Sequence, residues 1–187
     1  LYPNAQKTYF SVDSSITADA ISSGDGGKVV LWSDDATYFK GSISAKGGSS
    51  KGDGGFVEVS SKNYLDFNGS VDVASSNGNA GTVLLDPASI TILSGVDSNS
   101  DGFTAASDVS ELFANDSGDS TVLNPAASGS FDGISAGSTI ILQATGDITV
   151  SSDFVLATAT GTANNSLVMQ AGENINVNQN ITVSGTG

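Results

Sequence analysis

Much ordinary enzyme chemistry is excluded by what this chain lacks. It contains no Cys, no His and no Arg; all six basic residues are Lys. Ser-His-Asp and Cys-His nucleophile systems cannot be assembled, nor can a His-ligated zinc or an Arg clamp on phosphate or uronate. Without Cys there is no disulfide framework, although a stacked core needs none, so an extracellular location stays open. No apolar run approaches the roughly 20 residues that span a bilayer, and the start shows no basic segment followed by an apolar one. Direct membrane insertion is therefore not expected. Positive charge is scarce too: the net charge is −14, with a sequence pI near 4.1. Nucleic acid is excluded as a partner, since phosphate neutralisation needs clustered Lys and Arg. An acidic excess suits cation binding or plain solubility.

What is abundant is Gly, at 23 of 187 residues, and it recurs in order. Gly24-Asp25-Gly26-Gly27-Lys28-Val29-Val30-Leu31 returns as Gly52-Asp53-Gly54-Gly55-Phe56-Val57-Glu58-Val59, then as Gly78-Asn79-Ala80-Gly81-Thr82-Val83-Leu84-Leu85. A second motif precedes each glycine turn: Val12 to Ala18, Phe39 to Ala45, Phe67 to Val73. Equivalent positions lie about 27 residues apart, which marks a stacked repeat. Each unit reads as two short strands with alternating faces. The inward columns are Val12/Phe39/Phe67, Ile16/Ile43/Val71, Ala18/Ala45/Val73, Val29/Val57/Val83 and Leu31/Val59/Leu85. An antiparallel sandwich also alternates, but it gives no reason for like residues to align at one period. The spacing predicts an all-β chain, a parallel β-helix (solenoid) of about 27 residues per turn.

One segment breaks the rhythm. The chain reads as a single β-helix with first repeats at 1–92, an acidic excursion at 93–136 and later repeats at 137–187. Within the excursion, Ser107 to Phe113 fits a helix of about two turns, capped by Ser107 or Asp108. The period resumes with Ile140/Leu167, Leu142/Met169, Ile148/Ile175 and Val150/Val177, and Phe154 and Leu156 sit under Ile181 and Val183. About six turns are expected, a rod on the order of 30 Å long. The chain reads as a piece of something longer.

Asp97, Asn99, Asp101 and Asp108 place oxygen side chains at loop positions 1, 3, 5 and 12, with Gly102 at 6 and the carbonyl of Phe103 at 7. That is the ligand spacing of an EF-hand or dockerin-type calcium loop. Asp108 stands where EF-hands prefer Glu, and Thr104 where an aliphatic residue is usual. A structural Ca2+ is the expected cofactor; the competing reading is a plain polar turn. No catalytic residues are expected. Asn99-Ser100-Asp101-Gly102-Phe103 resembles a polygalacturonase segment, yet the His, Arg and further motifs of such enzymes are missing. Asp34 and Asp35, as strand neighbours, point to opposite faces and are poorly placed to cooperate. Trp32, Tyr38, Phe56 and Tyr64 are candidates for an exposed sugar-stacking strip, or for a surface covered by the excursion. Asn174, Asn176, Asn178 and Asn180 read as polar ladders or solvated turns.

The segments Gly26 to Asp34, Gly41 to Gly48, Gly54 to Ser60, Gly69 to Asp72 and Leu84 to Pro87 resemble the filamentous haemagglutinin-type exoproteins. The later Leu-x-x-Gln-Ala and Ile-x-Val units do so more loosely. The resemblance covers residues 15 to 92 in order and spacing. It implies a right-handed parallel β-helix, secreted by a Gram-negative bacterium through an outer-membrane two-partner-secretion transporter and folded at the cell surface. It also implies a role in adhesion, as shaft or interaction surface, toward a host-cell or matrix receptor or glycan. A calcium-dependent carbohydrate-binding module is the alternative, and a polysaccharide lyase or hydrolase the remote one.

Overall fold

The computed structural model describes residues 2–93, 121–123, 131, 133–156 and 164–183. Among these, all regular structure is strand, and every ladder is parallel. The chain is a β-solenoid whose turns lie about 28 residues apart. Each turn carries three strands rather than the two expected. They are β1 (Lys7–Phe10), β2 (Ser15–Thr17) and β3 (Lys28–Leu31) in the first turn. Next come β4 (Ala36–Phe39), β5 (Ser42–Ser44) and β6 (Phe56–Ser60). The third turn holds β7 (Tyr64–Phe67), β8 (Ser70–Asp72) and β9 (Thr82–Asp86). The additional strand was hidden because the Phe39 and Phe67 motifs run through a corner. At that corner, a Cβ on Gly41 would meet the Ser14 carbonyl, and one on Gly69 would meet the Gly41 carbonyl and the Phe39 ring. Only glycine lets the backbone bend there with the turns in contact.

Strand β10 (Ile90–Ile92) follows, then β11 (Thr121–Leu123). The later turns are β12 (Thr139–Ala144), β13 (Ile148–Val150) and β14 (Phe154–Leu156), then β15 (Ser166–Ala171), β16 (Ile175–Val177) and β17 (Ile181–Val183). The longest sheet runs β3-β6-β9-β12-β15. Its five strands span four turns, and at about 4.8 Å per step they cover roughly 19 Å. Among the described residues the solenoid has about four turns, fewer than the six expected.

The passage of the chain from β10 to β12 leaves a topological mark. Strand order on one side is β11-β10-β13-β16, so β11 lies beneath β10 although it comes later in the chain, and it also packs alongside β7. That side therefore carries two strands between β7 and β13. The long sheet pairs β9 directly with β12, and the third side bridges Val71 to Ile134.

Register follows the repeat. Ile16, Ile43 and Val71 stack, as do Val29, Val57 and Val83, continued by Ile140 and Leu167. The first aromatic column differs from expectation: Phe10, not Val12, lies under Phe39 and Phe67. Val12 sits in the turn after β1 and is 69% exposed. These inward columns form one core. Thr8 and Thr37 also point inward, and each hydroxyl donates to a carbonyl at the end of the third strand of its own turn, Trp32 O just past β3 at 3.0 Å and Ser60 O ending β6 at 2.8 Å. Strands β4 and β7 are buried on both faces, because Ala36, Tyr38 and Tyr64 form a second small cluster with Tyr9 on the outer side.

Candidate functional site

The expected calcium loop, Asp97, Asn99, Asp101, Phe103 and Asp108, lies outside the described residues, as does the expected helix from Ser107 to Phe113. Among the described residues, no group of three or more His, Cys, Asp or Glu is placed to hold a metal ion.

Many described carboxylates have a structural partner one turn away. Strands must break at the corners, and there the N–H groups of the next turn need acceptors. Asp25 Oδ1 accepts from Asp53 N, and Asp53 Oδ1 from Asn79 N, both at 2.8 Å. Asp147 Oδ1 takes both Asn174 N and Nδ2 at 2.9 Å, and Asp153 Oδ1 takes both from Asn180 at 3.1 Å. Of the two readings of the late Asn residues, the ladder describes Asn174 and Asn180. Part of the acidic excess thus serves the stacking of corners.

The aromatic strip does not form as a surface: Tyr38 is 1% exposed and Tyr64 4%. Phe56 is half-buried beneath Lys28 Nζ, 4.9 Å from the ring centroid, and Trp32 is half-buried with Nε1 donating to Asp34 Oδ1 at 3.1 Å. Asp34 is held below the ordinary carboxylate range by hydrogen bonds from Asn4 and Trp32. Asp35 faces other partners, Asn63 Nδ2 at 3.1 Å and Lys7 Nζ at 3.9 Å. The two carboxylates do not share a site.

Two charged constellations escaped the sequence reading. At one corner, a cleft of about 310 Å³ opens between successive turns, floored by Asp19 and Lys46 and walled by Gly47, Ala74 and Ser75. Small residues stacked in register leave this hollow. Lys46 Nζ lies 3.5 Å from Asp19 Oδ2 and 3.7 Å from Asp72 Oδ2. Burial works against the Asp19 carboxylate, yet the Lys46 N–H, the Ser44 hydroxyl and the Lys46 ammonium together hold its pKa below the ordinary value. With its cation flanked by two acids, the cleft suits a polyol better than an anion.

The second constellation joins two turns at the glycine corner after β4 and β7. Asp66 is 2% exposed. One carboxylate oxygen, Oδ2, contacts Lys40 Nζ; the other, Oδ1, accepts Asn68 Nδ2 at 2.6 Å. Lys40 and Asn68 follow the in-register pair Phe39 and Phe67, so they occupy the same place in consecutive turns. The signal was available as a matched offset, but neither residue belongs to an apolar column, so nothing drew attention to it.

No family model matches the chain, and no curated protein matches it.

Proposed function

We propose that this chain is a non-enzymatic β-solenoid segment of a secreted, cell-surface adhesin of the filamentous haemagglutinin type, acting in adhesion as shaft or interaction surface. The observation that carries the reading is where the resembling motifs fall. Gly54 to Ser60 and its equivalents are the glycine turns and inward columns that stack one turn on the next. A coil of this kind presents long, regular outer faces on a rigid rod, which is what a shaft requires. The absence of His and Arg, and the separate partners of Asp34 and Asp35, support a role without catalysis. A receptor or glycan on a host cell or matrix is the partner this reading assigns, and an outer-membrane transporter is its export partner. Calcium at Asp97, Asn99, Asp101, Phe103 and Asp108 would order the excursion.

The carbohydrate-binding alternative has one observation in its favour, the cleft floored by Asp19 and Lys46, whose lining includes the hydroxyls of Ser49, Ser75 and Ser76. The deciding experiment coats beads with the segment and measures retention on host cells, matrix proteins and a glycan array, with calcium and with chelator. Retention by cells or matrix protein supports the adhesin reading. Retention by a defined glycan, lost with Asp19→Ala, moves the assignment to the carbohydrate module. Release of unsaturated or reducing ends from a polyuronate would overturn both. Calcium titration by calorimetry completes the test: stoichiometric heat is expected for the wild type, and none for Asp101→Ala.

A further inference from the structure

We propose that Lys40 and Asn68 become joined by an intramolecular isopeptide bond, with Asp66 carrying the protons, and that this bond staples two successive turns of the solenoid. Three observations carry it. First, the partners are in register: Lys40 N donates to Phe10 O and Asn68 N to Phe39 O, both at 2.9 Å, so the two residues are the same corner position one turn apart. Second, a single carboxylate holds both reacting groups, the Lys40 amine on Asp66 Oδ2 and the Asn68 carboxamide on Oδ1. Third, that carboxylate is buried beside the Tyr9, Tyr38 and Tyr64 cluster, with Tyr38 in register with Asp66, while Asn68 opens to solvent. A carboxylate in contact with both groups is placed to pass a proton from the attacking amine to the departing nitrogen.

The step balances without oxidant or cofactor. Lys40 Nζ, relieved of a proton by Asp66, attacks Asn68 Cγ, and a C–N bond forms. The tetrahedral centre collapses as Asp66 returns the proton to Nδ2, the Cγ–Nδ2 bond breaks, and nitrogen departs through the exposed side as ammonia, which takes up one of the two protons left on Nζ; the other stays as the amide N–H. An ammonium and a carboxamide become a secondary amide and ammonium. Asp66 ends as it began. In a chain with no Cys, such a bond would close a loop of about 28 residues, restricting the unfolded state as a disulfide does.

Intact-mass spectrometry of the purified protein, followed by proteolysis and fragment sequencing, tests this. The wild type is expected to weigh less than its sequence by one ammonia, and to yield one branched peptide joining the Lys40 and Asn68 segments. Lys40→Arg and Asn68→Ala should each return the full sequence mass. Asp66→Asn should do the same while keeping the strand signal by circular dichroism; should it fail to fold, the other two variants still decide. A wild type at full sequence mass, with two unlinked peptides, overturns the proposal. So does a deficit that persists in Lys40→Arg, which would be a cyclic imide at Asn68-Gly69. Loss of water with Lys40 linked to Asp66 would overturn the choice of acceptor.

Discussion

Replacing Phe39 by Ala should be among the costliest single changes in the core. Its side chain is 0% exposed and stands in the middle of a three-ring column, 5.5 Å from Phe10 and 5.3 Å from Phe67 between centroids. Truncating a buried Phe costs about 3–5 kcal/mol. Each ring pair adds about 0.5–1.5 kcal/mol beyond burial, and two are lost here, which places Phe39→Ala near the top of that range. Collapse of the cavity is hindered because the Gly69 backbone already rests on the ring. Phe10, half-buried with one ring neighbour, should cost about half as much. Val12→Ala should change stability by less than about 0.5 kcal/mol, since its side chain is 69% exposed. Urea unfolding followed by circular dichroism gives all three values, and at about 2–4 °C per kcal/mol the Phe39 variant should melt roughly 10–15 °C lower. A cost under about 1 kcal/mol for Phe39→Ala, or a larger effect at Val12 than at Phe10, would refute the register on which the reasoning rests.

Gly54→Ala would drive a Cβ into the Val73 carbonyl and the Gly81 amide, so a loss above about 3 kcal/mol or failure to fold is expected. Gly146→Ala meets Ala88 O at 3.1 Å and Ser89 Cβ at an ordinary 3.9 Å, and should cost about 1 kcal/mol or less, by the same urea assay. Two carboxylates should titrate with opposite signs. Asp19, held below its ordinary pKa, contributes stability above the unfolded value of about 3.9 that is lost as pH falls through the lower folded value. Asp19→Asn should therefore flatten the acid limb of a melting-temperature profile. Asp86 is pushed up, first by burial and then by Glu58, so its contribution is present at low pH and lost as pH rises through the raised value. Asp86→Asn should accordingly melt higher than wild type at pH 7 and alike below about pH 3.5. Asp147→Ala removes both acceptor contacts to Asn174; hydrogen exchange of the β16 amides should quicken about tenfold, with β6 unchanged.

The parts of the fold legible in the sequence were those where one residue column repeats one chemistry. Ile16, Ile43 and Val71, or Val57 and Val83, align because each parallel strand rests on its equivalent, so a slip by one residue would turn every apolar side chain outward. Val12 was misplaced since a half-buried strand and a turn can both offer one apolar residue at the same offset. Tyr38 and Tyr64 could not be assigned by parity, which says which face a side chain takes but not whether that face is covered. The out-of-order seat of β11 had no periodic signature, because among the described residues it joins the ladder through three residues, Thr121 to Leu123. The candidate site was partly legible: Lys40 and Asn68 share a repeat offset, but Asp66 enters the constellation only once the corner is folded.

The repeat alone was enough to determine the class of this protein. Glycine turns and apolar columns at a constant spacing admit parallel stacking and little else, since stacking is the arrangement that pays every column with its own kind. Tertiary structure decided how many strands make a turn, which corner glycines bear the contact between turns, and where the interrupted coil resumes. It also decided which charged groups meet. The reason is physical: alternation along a strand is a local property, written residue by residue. Burial of an outer face, and the approach of an amine, a carboxylate and a carboxamide, depend on atoms brought in from neighbouring turns.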